Sequence, residues 1–262
     1  MPSLRLLTIP LSHYCEKARW ALERIGLDYH EERHIQGFHY PRTYWVSRNP
    51  GVPVLIDGKQ VIVDSTGILK HLDRYAPPGM RLYPEDATAR RQVEALEDLF
   101  DETLGVESRR WFYFHYLPEG SAALRIAGQG APGIERAMAP LAFPLMRRYA
   151  TWLLQMSASS VTSGLEKSRQ IVLQTDALLA DGRPYLAGSR FSAADLALAC
   201  MMAPFVVPDE YGIRLPSDAE LPAAMRPTVQ AFRETITGKY VLKLFRTHRH
   251  RAGTMQPPLP PL

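Results

Sequence analysis

Three short stretches of this chain hold residues that could do chemistry together: Ser12-His13-Tyr14-Cys15, Val52-Pro53 and Asp64-Ser65. Val52 to Ile56 reads as a buried strand with a proline inside it. Proline cannot donate to a sheet ladder, so it belongs at a strand's start, at an edge or in a tight cis turn. Such a turn leaves the Val52 backbone groups unpaired and facing outward. Asp64-Ser65 falls where a second strand runs into a helix. Free backbone N–H groups and a hydroxyl at that junction suit a small anion. Side by side, the two features suggest a pocket for a short peptide-like ligand.

The Ser12 to Cys15 spacing is that of a redox C-x-x-C motif with its first cysteine replaced by serine. Two-cysteine redox chemistry is thereby removed from the motif. Taken alone, Ser12 reads as a helix cap. Beside Pro53 and Ser65 it reads as a hydrogen-bonding partner for a ligand thiolate, helped by the positive end of the helix. Cys15 reads as a small buried residue on the helix's inner face. His13 reads as incidental rather than as an acid or base. The run Arg109-Arg110-Trp111-Phe112-Tyr113-Phe114-His115-Tyr116 mixes cations with rings and reads mainly as packing, with part of it free to face a hydrophobic ligand and an anion.

The elements that must position these residues change character about every ten residues. Leu4 to Ile9 is strand-like, and Ser12 to Ile25 is helical with Gly26 as its stop. Tyr29 to His34 is a weak strand, and Tyr40 to Val46 a short helix. Val52 to Ile56 and Gln60 to Val63 form a hairpin through Asp57-Gly58, and Ser65 to Tyr75 is a helix. That β-α-β-α-β-β-α order implies a mixed sheet covered by helices. A proline-rich linker over 77–85 follows, and beyond it the pattern is helical. The expected helices are Asp86 to Tyr116, Ile134 to Met156, Ser159 to Ala180, Ser192 to Met202, Pro227 to Ile236 and Lys239 to His248. Pro140 and Pro144 are expected to kink or split the second of these, and Gly120 to Gly133 to be a break. Ser192-Ala193-Ala194-Asp195 fits a capping box, with Phe191 placed to staple against Leu196. The domain boundaries expected are 1–76, 86–250 and a proline-rich tail over 251–262.

The 262 residues are enough for two medium domains, and 46% hydrophobic content is ordinary for a globular chain. A formal net charge of +4 is small. The C-terminal cluster of Lys239, Lys243, Arg246, His248, Arg249, His250 and Arg251 reads as a solvated helix end rather than a nucleic-acid site. Two cysteines argue against a disulfide framework. No signal peptide and no apolar run of membrane-spanning length is evident, so a cytoplasmic protein is expected. No metal-ligand spacing, phosphate loop or nucleophile elbow appears.

With these residues in view, the chain resembles a cytosolic glutathione S-transferase. The likeness rests on Ser-x-x-Cys after the first strand, Val-Pro-Val-Leu, Asp-Ser-Thr-Gly-Ile-Leu, the proline linker, and Tyr185-Leu186-Ala187-Gly188 followed by Ser192-Ala193-Ala194-Asp195. It covers residues 1 to about 250. The resemblance implies an α/β thioredoxin-like N-terminal domain that binds glutathione and an all-α C-terminal domain that holds a hydrophobic electrophile. It implies that Pro53 is cis, that Val52 pairs with the cysteinyl backbone, that Asp64 and Ser65 hold the γ-glutamyl end, and that Ser12 is the catalytic residue at the thiol. Glutathione as co-substrate, a homodimer and a detoxifying role, with no nucleic-acid or membrane partner, come with it. The alternatives are a non-catalytic glutathione-binding scaffold, or a glutathione-dependent thiol transferase working through Cys15 or a peroxidase. One departure stands out. Asn49-Pro50-Gly51-Val52-Pro53 is two residues shorter than the family's usual loop, which leaves only Arg48 or Asn49 near the place of the side chain that meets the glycyl carboxylate.

Overall fold

The computed structural model describes residues 4–249. Four strands form one sheet in the order β2-β1-β3-β4: β1 (Leu4–Thr8), β2 (Tyr29–Arg33), β3 (Val54–Asp57) and β4 (Gln60–Val63). β1 runs parallel to β2 and antiparallel to β3, and β3 runs antiparallel to β4. The helices α1 (His13–Arg24), α2 (His39–Ser47) and α3 (Ser65–Leu72) join and cover them. This is the thioredoxin-like arrangement expected. β2 forms despite its charged sequence because its acids find partners: Glu31 pairs with Arg19 and Arg33, and Glu32 with Arg42. The hairpin turn falls on Gly58-Lys59, one residue later than expected, since Asp57 still pairs with Gln60 and Gly58 supplies the positive φ of 58°.

The helical part comprises α4 (Ala87–Leu99), α5 (Gly105–Tyr116), α6 (Ser121–Ala127), α7 (Gly133–Leu153), α8 (Ala158–Leu179), α9 (Ala193–Val206), α10 (Arg226–Glu234) and α11 (Ile236–His248). α4 and α5 join through a π-helical stretch, Phe100–Leu104, so the long helix expected there continues with one wide turn. The expected break at 120–133 contains α6, a helix too short for its periodicity to show. α7 runs unsplit through Pro140 and Pro144. Both prolines are exposed, on a side where water can serve the freed carbonyls.

α9 is the centre of the core. It is buried almost throughout, and α1, α4, α5, α10 and α11 pack around it. A helix apolar all round must be enclosed in this way. Its start is fixed by Asp195, whose Oδ2 accepts from the Ser192 backbone N–H at 2.8 Å and from the Ser192 hydroxyl at 2.8 Å. Asp195 Oδ1 accepts from Leu186 N–H at 2.9 Å and Tyr240 O–H at 2.6 Å. Phe191 is buried, with its ring against His248 at 4.8 Å and under the Arg24 guanidinium at 4.5 Å.

The basic C-terminal cluster is not uniformly solvated. Lys239, Lys243 and Arg246 are exposed, but Arg249 is 4% exposed. Its Nε binds Glu16 Oε1 at 2.6 Å, and its Nη1 binds Glu23. The end of α11 is thereby pinned to α1, which no spacing rule reveals across so many residues. His250, Arg251 and the proline-rich tail lie outside the described residues.

Candidate active site

The sheet register assembles the predicted residues at one end of the sheet. Leu7 pairs with Val54, and Val54 with Val63. One step further along the same ladders, Thr8, Pro53 and Asp64 come abreast. Ser12 follows Thr8, Val52 precedes Pro53, and Ser65 follows Asp64. The Val52–Pro53 peptide bond is cis, as the resemblance implied. Pro53 is buried and Val52 partly exposed.

Ser12 caps α1: its Oγ accepts from Cys15 N–H at 3.2 Å. Asp64 caps α3 in a backbone conformation rare for a side-chain-bearing residue, φ 68° and ψ 144°. Such a geometry costs about 1–3 kcal/mol and tends to persist at functional sites. The Asp64 carboxylate is exposed, and its Oδ2 is 3.4 Å from Gly67 N–H. Ser65 is wholly buried, and its Oγ has no hydrogen-bond partner. A buried hydroxyl without a partner costs free energy that a ligand oxygen could recover.

Ser12 and Val52 line one cavity of about 440 Å³ between the sheet and the helical part. Pro50 and Gly51 join them from the shortened loop, with Gln36, His39 and Tyr40 from the segment before and within α2. Asp64 and Ser65 lie beside this cavity rather than in its lining, and neither Arg48 nor Asn49 lines it. Asn49 Oδ1 is instead taken by Gly51 N–H at 2.7 Å, and Arg48 is exposed in a left-handed conformation that ends α2. The opposite wall is helical and mostly apolar: Tyr113, Met146, Ala150, Leu153 and Leu154.

Arg109 is the charged residue of this lining. Its guanidinium stands 5.6 Å from the Tyr14 ring, and its Nε is buried without a partner. Burial holds the His39 imidazole down to about 4 and pushes Tyr14 and Tyr40 up to about 12, so all three stay neutral near pH 7. His13, behind the wall, is held at about 3 by burial and by Arg109. The cavity thus carries one fixed positive charge among neutral groups.

The two hydroxyls at the helix start are in different states. Tyr14 O–H donates to the Asp101 carbonyl at 2.7 Å, so its proton is committed. Ser12 Oγ accepts one bond and keeps its own O–H to donate. Cys15 is fully buried, and burial pushes its thiol up. Gly105 makes the close approach possible, because a Cβ there would stand 2.3 Å from Met201 Sδ and 2.7 Å from Tyr14 Oη. The sequence offered no sign that Arg109 and Tyr113, rather than their neighbours, face the cavity. Trp111 and Phe112, from the same helix, are core residues.

Residues 6–79 match the family model of the glutathione S-transferase N-terminal domain, and residues 134–239 that of the C-terminal domain. The chain belongs to the glutathione S-transferase family. Among solved structures of this fold, it is similar to a theta-class glutathione S-transferase from Xanthomonas axonopodis pv. citri with glutathione bound. That match has 22% identity and a TM-score of 0.57, covering 92% of this chain and 98% of the other. A glutathione S-transferase from Rhodospirillum rubrum F11 matches at 19% identity and TM-score 0.58, with 98% and 96% covered. One from Methylobacillus flagellatus with glutathione bound matches at 21% and 0.53, with 91% and 98% covered. No curated protein matches the chain.

Proposed function

We propose that this protein is a glutathione transferase of the serine type, in which residues 1–76 hold glutathione and residues 86–250 hold an apolar electrophile. One observation carries the reading. The ladder register gathers Ser12, Val52 and Asp64-Ser65 at one sheet end, with the unpartnered Ser65 hydroxyl among them.

In this reading the Val52 backbone pairs with the cysteinyl peptide groups of glutathione. Ser65 and the start of α3 take the γ-glutamyl carboxylate, and Asp64 draws the ammonium group. The free O–H of Ser12 donates to the cysteinyl sulfur, and the Arg109 charge favours its thiolate. The thiolate sulfur then forms a bond to an electrophilic carbon resting on Tyr113, Met146 and Leu153. In a substitution the leaving group departs with the electron pair of its broken bond; in a conjugate addition the π pair of the attacked double bond moves onto the acceptor's carbonyl, which takes up a proton from water, as water took the thiol's proton. The buried, raised Cys15 thiol does not support a thiol-transferase reading.

Ser65→Ala removes a hydroxyl that has no partner in the fold, so the melting temperature stays within about 2 °C while retention on immobilised glutathione falls at least tenfold. Unchanged retention removes Asp64-Ser65 from the site. A scaffold that binds glutathione without chemistry is the second reading, favoured by the short loop at 49–51. It predicts retention with no turnover of any electrophile. A homodimer in the cytoplasm and a detoxifying role complete the proposal, and light scattering of the full chain tests the dimer.

A further inference from the structure

The cavity beside Ser12 does not end at the helical wall. A narrow apolar neck of about 60 Å³ shares Ile9, Gln36, Tyr113, Met146 and Ala150 with it. The same neck shares Ile35, Tyr116 and Leu124 with a further cavity of about 570 Å³, on the far side of α6. The three spaces therefore adjoin in series from the serine hydroxyl outward. Their character changes along the way: the neck is mostly apolar, with Gln36 and Arg147 as its polar lining, and the far cavity is lined by Arg125, Arg136 and Arg214 with a single carboxylate, Glu220.

That carboxylate is already used. Arg214 Nη2 binds Glu220 Oε1 and Oε2 at 2.9 and 3.0 Å, and Ser217 N–H binds Oε2 at 2.8 Å. Arg125 and Arg136 form no ion pair or side-chain hydrogen bond among the described residues. The rim is fixed rather than loose. Gln129 Nε2 donates to the Arg214 carbonyl at 2.7 Å, and Arg214 N–H donates to Gln129 Oε1 at 3.0 Å. The Arg136 stem lies along Gly128, where a Cβ would stand 3.4 Å from its Cγ. Two uncompensated guanidinium forks at the end of an apolar passage match a carboxylate on an apolar chain.

We propose that the second substrate is an elongated apolar molecule with a carboxylate at one end. Its carboxylate sits at Arg125 and Arg136, its chain crosses the neck past Leu124 and Tyr116, and its reactive end reaches the cavity beside Ser12. This rests on the transferase reading for the reactive end alone; the chain and head sites stand on their own.

The full chain is titrated calorimetrically with decanoate, decan-1-ol and butyrate. Decanoate is expected to bind at least tenfold more tightly than either, because only it has both the apolar chain and the charge. In R125Q/R136Q, both sites being exposed, the fold is kept and the preference for decanoate over decan-1-ol drops below threefold. Equal affinity for decanoate and decan-1-ol, or a double variant that binds decanoate like the native chain, overturns the proposal. So does loss of decanoate binding in L141E, which alters only the exposed outer face of α7. Retention on immobilised glutathione is measured on the same samples. Its absence in the native chain would remove the transferase reading, while decanoate binding that depends on the two arginines would still support the site.

Discussion

The first and second turns of α1 lie side by side and treat polar groups in opposite ways. In the second turn, every charge is buried and matched. Lys17 Nζ binds Glu97 Oε1 at 2.7 Å and Asp101 Oδ2 at 2.5 Å, and Thr66 and Tyr83 complete the cluster. Burial opposes the Lys17 charge, but Asp101 and Glu97 outweigh it and hold its pKa above the usual lysine range. Glu16, which closes the first turn, already belongs to this matched set and binds Arg19 and Arg249. In the first turn and against it, polar groups are left with capacity to spare: the O–H of Ser12, and the buried, unpartnered Ser65 Oγ, Arg109 Nε and His13 Nε2. Paired charges at the second turn fasten the sheet to the helices, although Asp101 Oδ1 is itself buried there without a hydrogen-bond partner. Unsaturated groups at the first turn are what a polar ligand can use, and the two differ by a single helical turn.

Lys17→Met should produce the largest effect. It strands Glu97 and Asp101 without a cation in a nearly dry site, which costs about 3–5 kcal/mol. Urea or thermal unfolding measures it, and a loss below about 1 kcal/mol would mean that the second turn is no more structural than the first. Ser12→Ala should divide in the opposite way. Losing the cap costs about 1 kcal/mol of stability. Turnover with a generic electrophile should drop tenfold or more while glutathione affinity moves little. Equal turnover in the two proteins would reduce Ser12 to a cap and erase the contrast between the turns.

The smallest effect is on pH dependence. His13 is held down to about 3 in the fold against an ordinary histidine near ~6.5 once unfolded. Between those values the unfolded chain binds the extra proton, so stability falls as the solution is acidified through that window. His39, held at about 4, adds to the same trend. His13→Gln should flatten the fall in melting temperature between pH 7 and pH 5. An unaltered slope would show that the His13 site takes a proton as easily as water does.

Much of the sheet half was legible because its signals are local. Gly26 stops α1, the hairpin and β4 are set by alternation and a glycine turn, and Ser12, Pro53 and Ser65 each mark an element boundary. The helical half was legible in its long helices but not in which face they present. α5 carries Arg109, Tyr113, Trp111 and Phe112 in one short run, and nothing in the run separates the cavity-facing residues from the core. The basic stretch at the C-terminus misled for a related reason. Charge in a sequence suggests solvent, yet Arg249 is buried because Glu16 and Glu23 wait for it on α1.

The sequence by itself determined the order of elements in the sheet half, the boundary residues that offer hydroxyls and free backbone, and the family these belong to. Periodicity, proline and glycine act over a few residues, so they can be read without the fold. The tertiary structure alone decided that Ser12, Val52 and Asp64-Ser65 share one sheet end, that Arg109 charges the cavity beside them, and that this cavity shares its helical wall with a neighbouring apolar one. Those facts depend on strand register and on which helix face meets which neighbour, and both are settled by packing between segments far apart in the chain.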